Sequence, residues 1–193
     1  MAIKEYPSLT IPSVNGQSGK YLTTNGSQPS WNSPSGMTLL GSGTLSGAGL
    51  VISSIPDTFN YLFIEVDSPR TGSDAPVGFR ANSNSSNYFG FYTRNNNGTI
   101  GSAASNTSAW QSTQFLDTAV ANDIYISCSI YNYKSTTGFK TACLTAGGPE
   151  TSGTNYQELV VATWRDVTAI TSLQIWANAE TFSGGTYSLW GVK

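Results

Sequence analysis

The sequence predicts an all-β protein: an antiparallel β-sandwich, jelly-roll-like, over residues 37–193, preceded by an extended N-terminal arm over residues 1–36. Three observations carry this. Apolar and polar residues alternate at period two in segment after segment. Short clusters rich in Gly, Asn and Ser separate those segments. No apolar stripe recurs at the period of 3.6 that a helix needs.

Taken in order, the arm holds two short extended pieces, Tyr6–Ile11 and Gly19–Thr24, broken by Pro7, Pro12, Pro29 and Pro34 and by Asn15-Gly16 and Asn25-Gly26. Its apolar anchors, Tyr6, Leu9, Ile11, Leu22 and Trp31, are too sparse to bury a core, so the arm is read as an assembly element that docks on another surface. Candidate strands then run over Thr38–Leu45, Gly49–Ser54, Val77–Ala81 and Asn87–Tyr92. The clearest alternations are Leu62, Ile64 and Val66 against Phe63, Glu65 and Asp67, and Ile124, Ile126, Cys128 and Ile130 against Tyr125, Ser127, Ser129 and Tyr131. Tyr156–Trp164, Leu173–Trp176 and Tyr187–Trp190 complete the set. Turns are expected at Ser83–Ser86, Asn95–Gly98, Ser135–Gly138, Gly147–Gly148 and Ser183–Gly185. The last strand is bulky on both faces, which suits a central position or an outer face covered by a neighbouring subunit.

The composition excludes several chemistries. There is no histidine, so no Ser-His-Asp or Cys-His nucleophile system and no His-containing zinc site. Charged residues make up 10% of the chain, well below the roughly 25% of an ordinary domain. Nine Lys+Arg against eleven Asp+Glu leave no basic field for nucleic acid. Ser, Thr and Asn form about a third of the residues, a neutral hydrogen-bonding surface suited to contact with other protein surfaces. No long apolar run points to membrane insertion, and no apolar stretch follows Lys4 as in a secretory leader, so synthesis in a reducing cytosol is expected. The four Asn-x-Ser/Thr triplets arise by chance in a chain this rich in Asn, Ser and Thr and, without a secretory route, say nothing about glycans. If Lys134–Thr137 closes a hairpin, Cys128 and Cys143 face each other across two strands, either bonded or, as the compartment favours, as two buried thiols.

No catalytic residue, metal site or cofactor is expected. Glu65 and Asp67 share a strand face about 7 Å apart, as a solvated pair would. Asp67 and Asp74 bracket an oxygen-rich segment that lacks the ligand set of an EF-hand. The Gly41-x-Gly43-x-x-x-Gly47 run has the wrong spacing for a dinucleotide fingerprint. A saccharide is the one small ligand the composition suits. Tyr88, Phe89, Phe91, Tyr92 and Arg94, with the nearby loop Asn95–Gly98 and Trp110, could form a platform for it, against the reading in which alternate members of Tyr88–Tyr92 are core.

Several segments together resemble one family. Gly19-Lys20-Tyr21-Leu22-Thr23-Thr24-Asn25-Gly26 through Pro29 and Trp31 is similar to a "G-K-x-L-T-T-N-G-x-x-P-x-W" element of bacteriophage tail-fibre and other virion proteins. Met37-Thr38-Leu39-Leu40 and Ile55-Pro56-Asp57-Thr58-Phe59 resemble the opening of its β-rich domain. Gly78–Asn82 with Asn87-Tyr88, and Tyr131–Lys134 with Phe139-Lys140-Thr141, resemble its middle. Ala169-Ile170-Thr171-Ser172-Leu173 and Phe182–Val192 resemble its closing "A-I-T-S-I…F-x-x-G-S-x-x-L-Y-G-I", with Trp190 in place of Tyr. The resemblance implies a virion structural protein of the β-sandwich type, found in tail fibres and head decoration. It implies a homo-oligomer, a trimer, on the virion surface, with other capsid or tail proteins as partners. Two roles stay open: capsid decoration or cement, and a tail-fibre protein that recognises host surface polysaccharide.

Overall fold

The computed structural model describes residues 13, 21–24, 29–32, 36–112, 124–149 and 155–193. They sort into two compact units, residues 1–36 and 37–193. In the first, β1 (Tyr21–Thr24) and β2 (Pro29–Asn32) form an antiparallel hairpin with Leu22 opposite Trp31. Tyr6, Leu9 and Ile11 lie outside the described residues.

The second unit is an all-β antiparallel sandwich of unequal layers. Its elements are β3 (Met37–Thr44), β4 (Leu50–Ile52), β5 (Tyr61–Thr71), β6 (Val77–Ala81), β7 (Tyr88–Asn96), β8 (Thr99–Thr107), β9 (Trp110–Gln111), β10 (Tyr125–Tyr131), β11 (Lys140–Pro149), β12 (Asn155–Trp164), β13 (Leu173–Ala177) and β14 (Phe182–Val192). One sheet has the order β3-β14-β5-β10-β11-β12-β7-β8; the other is β4-β13-β6-β9. The period-two alternation buries one face of each sheet: Leu62, Ile64, Ile126, Ile130, Leu144 and Trp164 from the large sheet share one core with Val77, Phe79, Leu173 and Ile175 from the small one. The closing strand β14 is interior, between β3 and β5.

The motifs that carry the resemblance hold this fold together. Asn82, at φ 50°, accepts hydrogen bonds at its side-chain oxygen from the Thr171 and Ser172 N–H groups (3.0 and 3.1 Å) and donates to the Ala169 carbonyl (2.9 Å). Lys140 is fully buried, yet its ammonium donates to the carbonyls of Ser135 (2.8 Å), Gly138 (3.2 Å) and Asp166 (3.1 Å). Three acceptors replace the water that burial removes, although desolvation still lowers the amine's pKa. The Tyr133 hydroxyl donates to the Pro56 carbonyl (2.6 Å) and accepts from the Phe59 N–H (3.1 Å), which fixes the β4–β5 loop.

Several local expectations need correction. Gly147-Gly148 is not a turn: both residues lie within β11, paired to Gln157 and Tyr156 of the antiparallel β12. Ser183–Gly185 is likewise inside β14, where the register shifts on either side of Gly184. Gly185 sits at φ 100° there, and a Cβ on it would lie 2.7 Å from the backbone of Ser68 and Pro69, so the glycines form a bulge rather than a hairpin end. Asn97-Gly98 does turn the chain, but both flanking strands reach it, and β8 is a strand that the Ser/Ala/Asn-rich stretch did not announce. The cysteines do not face each other. Cys128 pairs with Leu144 and Cys143 with Ser129, and this one-residue offset points them to opposite faces of the sheet. Both are free thiols, and burial raises the pKa of Cys128.

Candidate functional site

The expected saccharide platform divides between two sides of β7. Tyr88 and Trp110 are buried, 1% and 0% exposed. Their rings meet edge-to-face at 5.4 Å, and Tyr88 also stacks on Trp164 at 6.1 Å. The Tyr88 hydroxyl accepts from the Ala81 N–H (2.8 Å), and burial raises its pKa. A sugar cannot reach either ring. Tyr92, on the same inward alternation, is half-buried against the core, with the Arg94 guanidinium 5.8 Å from its ring. Phe89 and Phe91 are the outward members of the segment.

What the structure does bring together is the outward face of the eight-stranded sheet. Register defines its rows. One row runs Leu39, Trp190, Phe63, Ser129, Cys143, Val161, Phe91 and Ala104 from edge to edge. The row above it holds Met37, Tyr61, Tyr131 and Phe89. Tyr61 and Tyr131 are 5.3 Å apart at their ring centres, Phe63 and Trp190 5.8 Å. Leu39 is 55% exposed and Phe91 51%, so apolar surface lies open along the row. In the rows between Tyr61 and Asp67, the charged side chains on this face are Glu65 and Asp67, and Arg165 sits at the rim 4.5 Å from the Phe89 ring. Sequence reading found the inward set and, outside the last strand, whose bulk on both faces it noted, missed this one, because it took the second face of the other strands for a mostly polar one. The signal was present in doubled apolar pairs such as Leu39-Leu40, Leu62-Phe63 and Val160-Val161.

Both outermost strands of that sheet lack charge. No charged residue falls between Lys20 and Asp57, which includes β3, or between Arg94 and Asp117, which includes β8. Among the described residues neither strand has a second neighbour. Edge strands that stay unpaired normally carry charge, proline or a bulge that blocks pairing; β8 has none of these over nine residues in continuous register with β7.

At the lower end of the face, between β10 and β8, lies a shallow groove of about 650 Å³. Tyr125, Gly147, Gln157, Asn95 and Ile100 form one row of it, and Thr145, Leu159 and Thr93 the next. The Tyr125 hydroxyl donates to the Glu65 carboxylate, and burial, with that hydrogen bond, raises its pKa to about 12. Glu65 is thereby engaged, and Asp67 accepts from the Ser68 hydroxyl (3.0 Å). Among the described residues no three Cys, Asp or Glu side chains converge as metal ligands would. Comparisons with protein-family models, with curated proteins and with solved structures find no match to this chain.

Proposed function

We propose that this chain is a non-enzymatic structural protein of a bacteriophage virion surface, a capsid decoration or cement protein. In this reading residues 1–36 anchor it to the particle, and the sandwich packs among copies of itself, as a trimer, and against other virion proteins. It is made in the host cytoplasm and works on the outside of the particle. The observation that carries the reading is the open, aromatic, charge-poor outer face of the large sheet, bordered by two uncharged edge strands. Eight strands about 4.8 Å apart, with rows spanning about 20 Å, make a face on the order of 700 Å². That is close to the roughly 800 Å² each partner buries in a stable interface. The motif resemblance supplies the setting, and the scarcity of charge fits a surface that other proteins cover.

The same face has a second use in the competing role, a tail-fibre or receptor-binding protein, because its lower end is concave. The two roles separate experimentally. The core residues of the sandwich all lie within 45–192, so a chain lacking 1–36 should remain folded and soluble. Added to particles that lack the protein, the full chain should bind and the shortened one should not. Equal incorporation of the two would defeat the anchoring role of the arm.

A further inference from the structure

We propose that the groove between β10 and β8 binds a neutral saccharide. The inference does not rest on where the protein sits in a particle. It starts from Gly147. In the row Tyr125–Gly147–Gln157–Asn95, this residue alone has no side chain, which leaves a notch with an aromatic wall on one side and primary amides on the other. Tyr125 is 44% exposed, and its hydroxyl is tied to Glu65, so the ring is held in place before any ligand arrives. A fixed aromatic face is what the C–H face of a pyranose packs against.

The polar lining matches hydroxyl groups. A primary amide both donates and accepts, as a sugar hydroxyl does. Among the described residues the Gln157 and Asn155 side chains have no hydrogen-bond partner. Asn95 uses its oxygen to accept from the Gly98 N–H (2.8 Å), which leaves its NH₂ to donate outward. Leu159, 40% exposed, and Ile100, 78% exposed, add apolar surface for the less polar side of a ring. Charge decides between ligand classes. Arg94 and Glu158, neighbours across β7 and β12, line the groove with one charge of each sign, and Glu65 and Asp67 beside Tyr125 make its surroundings net negative, which repels anions. Uronic acids, sialic acids and nucleotides are therefore disfavoured, and uncharged hexose or N-acetylhexosamine chains are preferred.

The test uses the full chain on an array of short neutral oligosaccharides of hexoses and N-acetylhexosamines, with anionic oligosaccharides alongside. The best-binding member is then titrated against variants. Gly147→Leu fills the notch. A Cβ at this position meets the Tyr156 carbonyl oxygen at 3.5 Å and Gln157 Cγ at 3.9 Å, both ordinary contacts, so the fold should hold. The expected result is binding of a neutral member that weakens at least about tenfold in Gly147→Leu and in Gln157→Ala, at an unchanged thermal midpoint. Tyr125→Phe, which keeps the ring, should weaken binding less than Tyr125→Ala. The proposal is overturned if no neutral oligosaccharide binds, if anionic ones bind better, or if binding survives Gly147→Leu.

Discussion

Gly191→Val should destabilise the sandwich by about 3 kcal/mol, a fall of about 10 °C in thermal midpoint for a domain of this size. A Cβ at Gly191 would lie 2.3–2.5 Å from three atoms of the Phe59 ring, closer than any real contact. The ring cannot simply swing away. Phe59 is buried, its N–H is held by the Tyr133 hydroxyl, and that hydroxyl is itself bonded to Pro56. The glycine of the closing motif is therefore a seat for an aromatic ring that the β4–β5 loop lays across β14. A double-mutant cycle checks the mechanism. Phe59→Ala alone should cost about 3–4 kcal/mol through the cavity it leaves. Combined with Gly191→Val, the loss should fall short of the sum by at least about 1 kcal/mol, because the smaller side chain removes the collision. Strict additivity would show that the two residues do not meet in this way.

Lys140→Met should cost about 3 kcal/mol, although methionine fills much the same volume. The substitution keeps the apolar stem and removes the three donors that satisfy Ser135, Gly138 and Asp166. The three carbonyls belong to half-buried residues, and left without their donor in the space the ammonium fills they bear part of the desolvation cost. The loss should be local as well as global. The β10–β11 loop also depends on the Ser135 hydroxyl, which accepts from Gly138 N–H (2.8 Å), and on Asn132, whose amide donates to the Phe139 carbonyl (2.9 Å). Amide hydrogen exchange should therefore quicken at 135–139 and 166–168 in the variant while β13 and β6, on the other sheet, stay protected. Unchanged exchange in that loop would mean that the lysine is not its clasp.

The fold class was readable because the inward residues obey period two with little noise, as in Leu62-Ile64-Val66 and Ile126-Cys128-Ile130. Where glycines fell inside strands, the reading failed. Gly147-Gly148 and Gly184-Gly185 look like turns in one dimension, but a notch and a bulge use the same residue for space and for φ rather than for reversal. The site was less legible than the fold. Alternation says that Tyr88 and Phe89 face opposite ways but does not say which one faces out. The core claimed Tyr88 because Trp110 and Trp164, distant in sequence, close around it. Beyond the bulky second face of the last strand, the outer face was hidden for a related reason. It exists only when Leu39, Trp190, Phe63 and Phe91 are brought into one row by pairings that cross most of the chain.

The central claim is that this chain covers the surface of a virion, and locating it on the particle tests that most directly. On the proposed function the chain is phage-encoded, and purified particles of that phage, imaged by electron cryomicroscopy at a resolution that distinguishes the two sheets, should show the sandwich in symmetry-related copies on the head. Residues 1–36 should lie against the shell, and the Leu39–Trp190–Phe63 cluster should be covered by neighbouring protein. A chain absent from purified particles would contradict the account altogether, and one found only at the tail tip would contradict the decoration role.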